Sequence, residues 1–158
     1  MLLRLYRAAT QLGGPLIEAE LRRRVRRGKE DPVRLPERLG QASMPRPPGP
    51  LVWLHAASIG ESLTILPLLD ALANARPGLQ ILVTTSTVTS ARLLAERLPA
   101  GTRHQFAPVD RPAAWRAFFD HWHPDLALLV ESELWPNLML EAERRGVPLA
   151  LLNARMSE

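Results

Sequence analysis

The chain has 158 residues, 46% hydrophobic and 23% charged, enough for one ordinary domain with a real core plus an appendage. It contains no cysteine, which excludes a disulfide frame, a thiolate nucleophile and a cysteine metal site. The net charge of +4 is unevenly spread: residues 1–50 carry eleven Arg/Lys against five Asp/Glu, and residues 51–158 carry nine against eleven.

In chain order, the first segment holds apolar residues from Met1 to Leu21, interrupted by Arg4, Arg7 and Glu18 and broken by Gly13-Gly14-Pro15. A spanning helix needs about 20 mostly apolar residues, so this is no membrane span. It also lacks the long apolar stretch and cleavage site of a signal peptide. Two readings stand: an interfacial helix with a basic flank, Arg22-Arg23-Arg24-Val25-Arg26-Arg27-Gly28-Lys29, or a helix packed on its own domain. Six prolines between Pro32 and Pro50 make residues 31–50 a linker or an extended wrap.

From Leu51 the pattern becomes regular. Apolar runs predict strands over 51–55, 79–84, 103–107, 125–130 and 147–152, with helices over 62–75, 87–98, 111–122 and 136–145. Ser86 or Thr87 caps the second of these helices, and Asp110 with Pro112 opens the third. Gly146 ends the fourth after Arg144 and Arg145. Pro67 implies that the first starts late or kinks. Alternation at this spacing predicts right-handed βαβ units: an α/β, Rossmann-like parallel sheet flanked by helices, preceded by a basic helical segment.

Every unusual polar cluster follows a strand: His55 to Glu61, Thr84-Thr85-Ser86-Thr87, Pro108-Val109-Asp110, Glu131-Ser132-Glu133 and Asn153-Ala154-Arg155. All would gather along one sheet edge, where open α/β sheets bind ligands. Carboxylates at two strand ends suggest general acid/base chemistry. Local alternatives exist for each. Ser58-Ile59-Gly60-Glu61 matches a capping box, Glu131 and Glu133 suit a helix N-terminus, and His55 beside a buried strand suits a satisfied core histidine. Gly60 stands alone where a dinucleotide fingerprint needs three glycines, no GxxxxGK[ST] loop occurs, and Ser58 lacks a GxSxG elbow. No clustered His or Asp pattern predicts a metal site.

Read together, Trp53-Leu54-His55-Ala56-Ala57-Ser58-Ile59-Gly60-Glu61, Val83-Thr84-Thr85-Ser86-Thr87, Glu131-Ser132-Glu133-Leu134-Trp135-Pro136-Asn137 and Asn153-Ala154-Arg155-Met156-Ser157 resemble the N-terminal half of 3-deoxy-D-manno-octulosonic acid (Kdo) transferase. Arg34-Leu35-Pro36-Glu37-Arg38-Leu39-Gly40 is similar to the family's RxxERxG lead-in. The resemblance implies the first of two Rossmann-like domains of a GT-B glycosyltransferase. Such an enzyme moves Kdo from CMP-Kdo to the lipid A precursor in lipopolysaccharide biosynthesis, by an inverting transfer that needs no metal or cofactor. It works at the cytoplasmic face of the inner membrane, here peripheral or weakly anchored.

By the same resemblance Glu61 is the general base and Glu131 the second carboxylate, which stabilises the transition state. Ser58 and Gly60 shape the acceptor pocket, Arg155 either meets an acidic group of the acceptor or makes a structural salt bridge, and the basic segment (residues 1–50) faces an anionic membrane surface. Residues 51–158 would be the acceptor-side domain, with the donor-binding domain absent, so turnover by this chain alone is expected to be negligible. The alternative is a non-catalytic lipid- or partner-binding module that keeps the fold. No nucleic-acid partner is expected, since the arginine run has no interleaved aromatics or reading motif.

Overall fold

A computed structural model describes residues 1–131 and 135–153. Two helices open the chain, α1 (Leu2–Leu12) and α2 (Gly14–Arg26), separated at Gly13. A short 3-10 helix, Leu35–Leu39, follows. The regular part runs β1 (Leu51–His55), α3 (Ile59–Ala75), β2 (Gln80–Thr85), α4 (Val88–Ala95), β3 (Arg103–Phe106), α5 (Pro112–Trp122), β4 (Leu126–Val130), α6 (Pro136–Arg145) and β5 (Leu149–Leu152). Among the described residues no helix is long and apolar enough to cross a membrane.

The five strands form one parallel sheet of order β3-β2-β1-β4-β5. Parallel strands need cover on both faces, and the two-residue period of the side chains divides the core accordingly. Leu51, Trp53, Leu82, Ala127 and Leu129 point to one side, against Trp115, Phe118, Phe119 and Trp122 of α5 and Leu138 and Ala142 of α6. Val52, Leu54, Ile81, Val83, Leu128 and Val130 point to the other, against Ile65 and Leu69 of α3 and Leu94 of α4. β1 is buried along its whole length. Trp53 lies 4.7 Å from Phe118 and 5.7 Å from Trp115, ring centre to ring centre, in tilted geometry. Rings of this size contribute about 1.5–3 kcal/mol each by burial, so the aromatic side of the sheet carries much of the stability.

The expected elements are present, with shifts of one to three residues at several ends. The main correction concerns α3. It begins at Ile59 instead of 62 and runs through Pro67, so the late start is not observed. Ser58 caps the first turn, and Pro67 withdraws its N–H only from the carbonyl of Leu63, a residue 40% exposed, where water can serve. A second correction concerns Asp110, expected to open α5. Arg111 occupies that cap position without a side-chain bond, and the Asp110 carboxylate points elsewhere.

The segment between α2 and β1 is fastened by side chains. Glu37 is wholly buried and accepts from Arg34 (Nε 3.0 Å, Nη2 2.9 Å), from the Ser43 hydroxyl and from the backbone N–H of Phe106 at 2.7 Å. Arg34 also donates to Nδ1 of His104 at 3.0 Å and lies over the Phe106 ring. A guanidinium only donates, so Nδ1 must accept and the His104 proton sits on Nε2, facing Thr85 Oγ1 at 2.9 Å. Burial, then the neighbouring Arg34 charge, pushes His104 down to about 3. Arg38 donates to the carbonyl of Ala107, and the Val109 N–H returns a bond to the Arg38 carbonyl at 2.8 Å. The RxxERxG string is therefore a clip that holds the wrap on β3.

Its glycine is required by space. Gly40 has φ +85, and a Cβ there would collide with the Ala114 carbonyl of α5. Gly40→Ala is expected to lower stability by about 2–4 kcal/mol, read as a fall in melting temperature of roughly 5–15 °C. An unchanged melting curve would refute the close approach.

Candidate functional site at the carboxyl edge of the sheet

The chain builds outward from β1 in one direction through β2 and β3, then returns to add β4 and β5 on the other side. The topological switch point lies between β1 and β4, and the crevice beyond their carboxyl ends is where such sheets bind ligands. Both expected carboxylates follow these two strands.

After β1, Ala56 and Ala57 lead to Ser58, which is extended (φ −111, ψ 170) and caps α3. Ser58 Oγ accepts from the Glu61 N–H at 3.3 Å and donates to Glu61 Oε1 at 2.7 Å, while Glu61 Oε2 accepts from the Ala57 N–H at 2.8 Å. The capping alternative is thus realised, with the return bond made to the residue before the cap instead of the cap itself. Glu61 is 8% exposed. Each carboxylate oxygen has two lone pairs, so a third partner can bond to it without breaking the box. Gly60 is exposed, and a Cβ there would meet only Ser58 Oγ at 3.9 Å. Nothing within the described structure requires a glycine at this point.

After β4, Glu131 takes φ +58, in the left-handed region that a glutamate rarely adopts. Its N–H donates to the Leu152 carbonyl at 2.9 Å, which joins the turn to β5. Strain of this kind costs about 1–3 kcal/mol and gathers at functional sites. Ser132, Glu133 and Leu134, and residues 154–158 with Arg155, lie outside the described residues. His55 is 1% exposed, with Nδ1 2.9 Å from Thr84 Oγ1, which also accepts from the Trp53 indole at 2.8 Å. It is the satisfied core histidine that its position suggested. Among the described residues no three His, Asp or Glu side chains gather as a metal site would require.

Sequence reasoning missed the part played by Asp110. Trp135, the cap residue of α6, makes no side-chain cap bond. Asp110, from the loop after β3, supplies it across the fold: Oδ2 accepts from the Asn137 N–H and Oδ1 from the Leu138 N–H, both at 3.3 Å. The same carboxylate accepts from the Trp115 indole at 2.9 Å and from the Tyr6 hydroxyl of α1 at 2.8 Å. Asn137 donates to the Asp110 carbonyl at 2.9 Å and to Thr10 Oγ1 of α1 at 3.1 Å. The missing signal was available in part: Trp135-Pro136 offers no capping oxygen, so one had to come from elsewhere.

A cavity of about 620 Å³ lies between α2 and the loops after β2 and β3. Leu16, Ile17, Leu21, Pro108 and Val109 give it an apolar wall. Trp135 also lines it and so connects it to the segment after β4, but neither Glu61 nor Glu131 does. The cavity borders the switch-point crevice without being the same space.

A parallel sheet of this order, with acid-bearing turns at its switch point, defines a doubly wound α/β unit of the Rossmann type. Residues 33–158 match the family described as 3-deoxy-D-manno-octulosonic-acid transferase, and the chain belongs to that family. An Arabidopsis thaliana protein, "Probable 3-deoxy-D-manno-octulosonic acid transferase, mitochondrial", is 46% identical over 98% of this chain and 34% of its own length. The 3-deoxy-D-manno-octulosonic acid transferase of Rickettsia bellii is 40% identical over 83% of this chain and 31% of its own. That of Bordetella pertussis is 39% identical over 96% and 37%. The chain spans about a third of the length of these relatives.

The Asp110 node can be read through Tyr6, the chain's single tyrosine. Burial, then the hydrogen bond and charge of Asp110, pushes Tyr6 up to about 12. A raised value means that the fold favours the protonated phenol. The stability from this contact is complete below the ordinary value near 10 and is lost as pH rises through about 12. Asp110→Asn is expected to move the tyrosine absorbance titration down toward 10 and to lower stability by about 1–3 kcal/mol. A midpoint unmoved by the substitution would remove Asp110 from the contact.

Proposed function

We propose that this chain is the acceptor-side unit of a glycosyltransferase that moves Kdo from CMP-Kdo to the lipid A precursor. In this reading the acceptor enters the crevice between the turns after β1 and β4. Glu61 takes the proton of the acceptor hydroxyl as that oxygen attacks the anomeric carbon. The bond to the cytidine monophosphate oxygen breaks on the opposite face, so the configuration inverts, and no metal takes part. Glu131 stabilises the oxocarbenium character that develops on the sugar. Ser58 orients Glu61, Gly60 leaves room for the acceptor to approach the first turn of α3, and Arg155 meets an acidic group of the lipid or sugar.

The observation that carries the reading is the Glu61 carboxylate, buried yet with lone pairs to spare, in the first turn of the helix that follows the central strand. Family membership supports the sugar chemistry. The relatives extend well beyond the part they share with this chain, and we assign donor binding mainly to that remainder. Without such a donor-binding half, the unit turns over negligibly, because the two substrates are no longer held together. We place the protein on the cytoplasmic face of the inner membrane as a peripheral component. The exposed Leu2, Leu5, Leu12 and Leu16 of the first two helices and the arginine run of α2 support contact with an anionic surface.

Glu61→Gln tests the base directly, since glutamine serves a capping box as well as glutamate does but cannot take the proton. Assayed together with a donor-binding half, it is expected to lose about 10²–10⁴-fold in turnover, with the far-ultraviolet dichroism of the chain unchanged. Full activity would rule out Glu61 as base.

A further inference from the structure

On the side of the molecule where α1 crosses the start of α5, Arg4 and Arg7 of α1 and Arg116 of α5 line one hollow of about 330 Å³, together with Ala8, Gln11 and Pro112. Among the described residues none of the three guanidinium groups makes an ion pair or a side-chain hydrogen bond. The arginines around them do. Arg111 bonds to Glu18 at 3.2 Å, Arg145 to Asp120 at 2.5 Å, and Arg144 to Glu141 at 2.6 Å.

Three acids on or beside the adjoining elements are committed elsewhere. Asp110 serves Tyr6, Trp115 and the start of α6. Glu18 takes Arg111 and Arg22, and Asp120, one turn beyond Arg116, takes Arg145. Arg7 is half-buried as well, so it has given up water without gaining a counter-charge. Arg4 and Arg7 stand three apart on one helix, where like charges repel. The hollow also meets the first turn of α5, whose cap residue makes no side-chain cap bond and whose dipole is positive there.

Three forked donors around one hollow, beside a positive helix end, match the oxygens of a tetrahedral dianion better than a planar carboxylate. We propose that Arg4, Arg7 and Arg116 form a binding site for a phosphomonoester group, distinct from the carboxylate crevice of the proposed transfer reaction. The group can belong to a soluble phosphate or to a lipid headgroup, and the two sources differ in what presents it.

The test compares the full chain with two triple variants of equal charge change. One is Arg4→Gln/Arg7→Gln/Arg116→Gln, and the other is Arg76→Gln/Arg92→Gln/Arg97→Gln, at three exposed arginines outside both the basic run and the hollow. Calorimetry with inorganic phosphate reads the soluble source. Co-sedimentation with phosphatidylcholine vesicles containing phosphatidic acid, against vesicles containing phosphatidylglycerol, reads the lipid source. The first variant is expected to bind whichever probe the native chain takes roughly tenfold or more weakly, with its melting temperature unchanged because the three arginines hold no other element. The control variant is expected to keep most of the affinity. Arginine-dependent binding of inorganic phosphate assigns the soluble source, and binding of phosphatidic acid vesicles alone assigns the headgroup. Equal losses in both variants mean diffuse charge and overturn the site, as does a native chain that binds neither probe.

Discussion

Between α5 and α6, Asp110 replaces the capping oxygen that Trp135-Pro136 cannot provide, and the position of the whole carboxyl edge depends on that substitution. The first N–H groups of α6 would otherwise lack partners. Because the same carboxylate also accepts from Trp115 and Tyr6, it joins α5, α6 and α1 at one point. The turn that carries Glu131 is therefore bounded on one side by the β5 ladder and on the other by a helix whose start is set from across the fold. An N-terminal helix that could have been a detached anchor becomes part of the frame around the crevice through Tyr6 and Thr10.

The same economy governs the wrap ahead of β1. A buried carboxylate is tolerated only where several donors meet it, and Glu37 has Arg34, Ser43 and the Phe106 N–H. The cluster keeps His104 neutral beside a guanidinium and fixes its proton on Nε2. Gly40 then lets the chain pass close to α5. A motif that looks like a functional signature when read as a string is, in this part of the molecule, a structural clip. Glu61 shows the reverse relation. It is a genuine capping residue, yet its geometry leaves it able to accept another proton donor.

Much of the architecture was legible residue by residue. The apolar run at 51–55 is β1 to the residue, and Ser58 and Thr87 cap the helices they precede. Gly146 ends α6 in the left-handed conformation, after Arg144 and Arg145. These signals are local, since a cap or an alternation of side chains acts within a few residues. Pro67 misled as to where α3 starts for the same reason: a local rule allowed a late start, and burial of Ile65 and Leu69 against the sheet outweighed one lost hydrogen bond. Asp110 misled because its partners are up to a hundred residues away in the chain.

The sequence by itself determined the parallel α/β class, the caps that start α3 and α4 and the presence of carboxylates after β1 and β4, because periodicity and such capping are carried by neighbouring residues. Only the tertiary structure decided that β1 and β4 flank the switch point and that Asp110 caps a helix from another loop. It alone brought Arg4, Arg7 and Arg116 to one hollow. Those relations join residues far apart in the chain, and packing, rather than any local preference, brings them together.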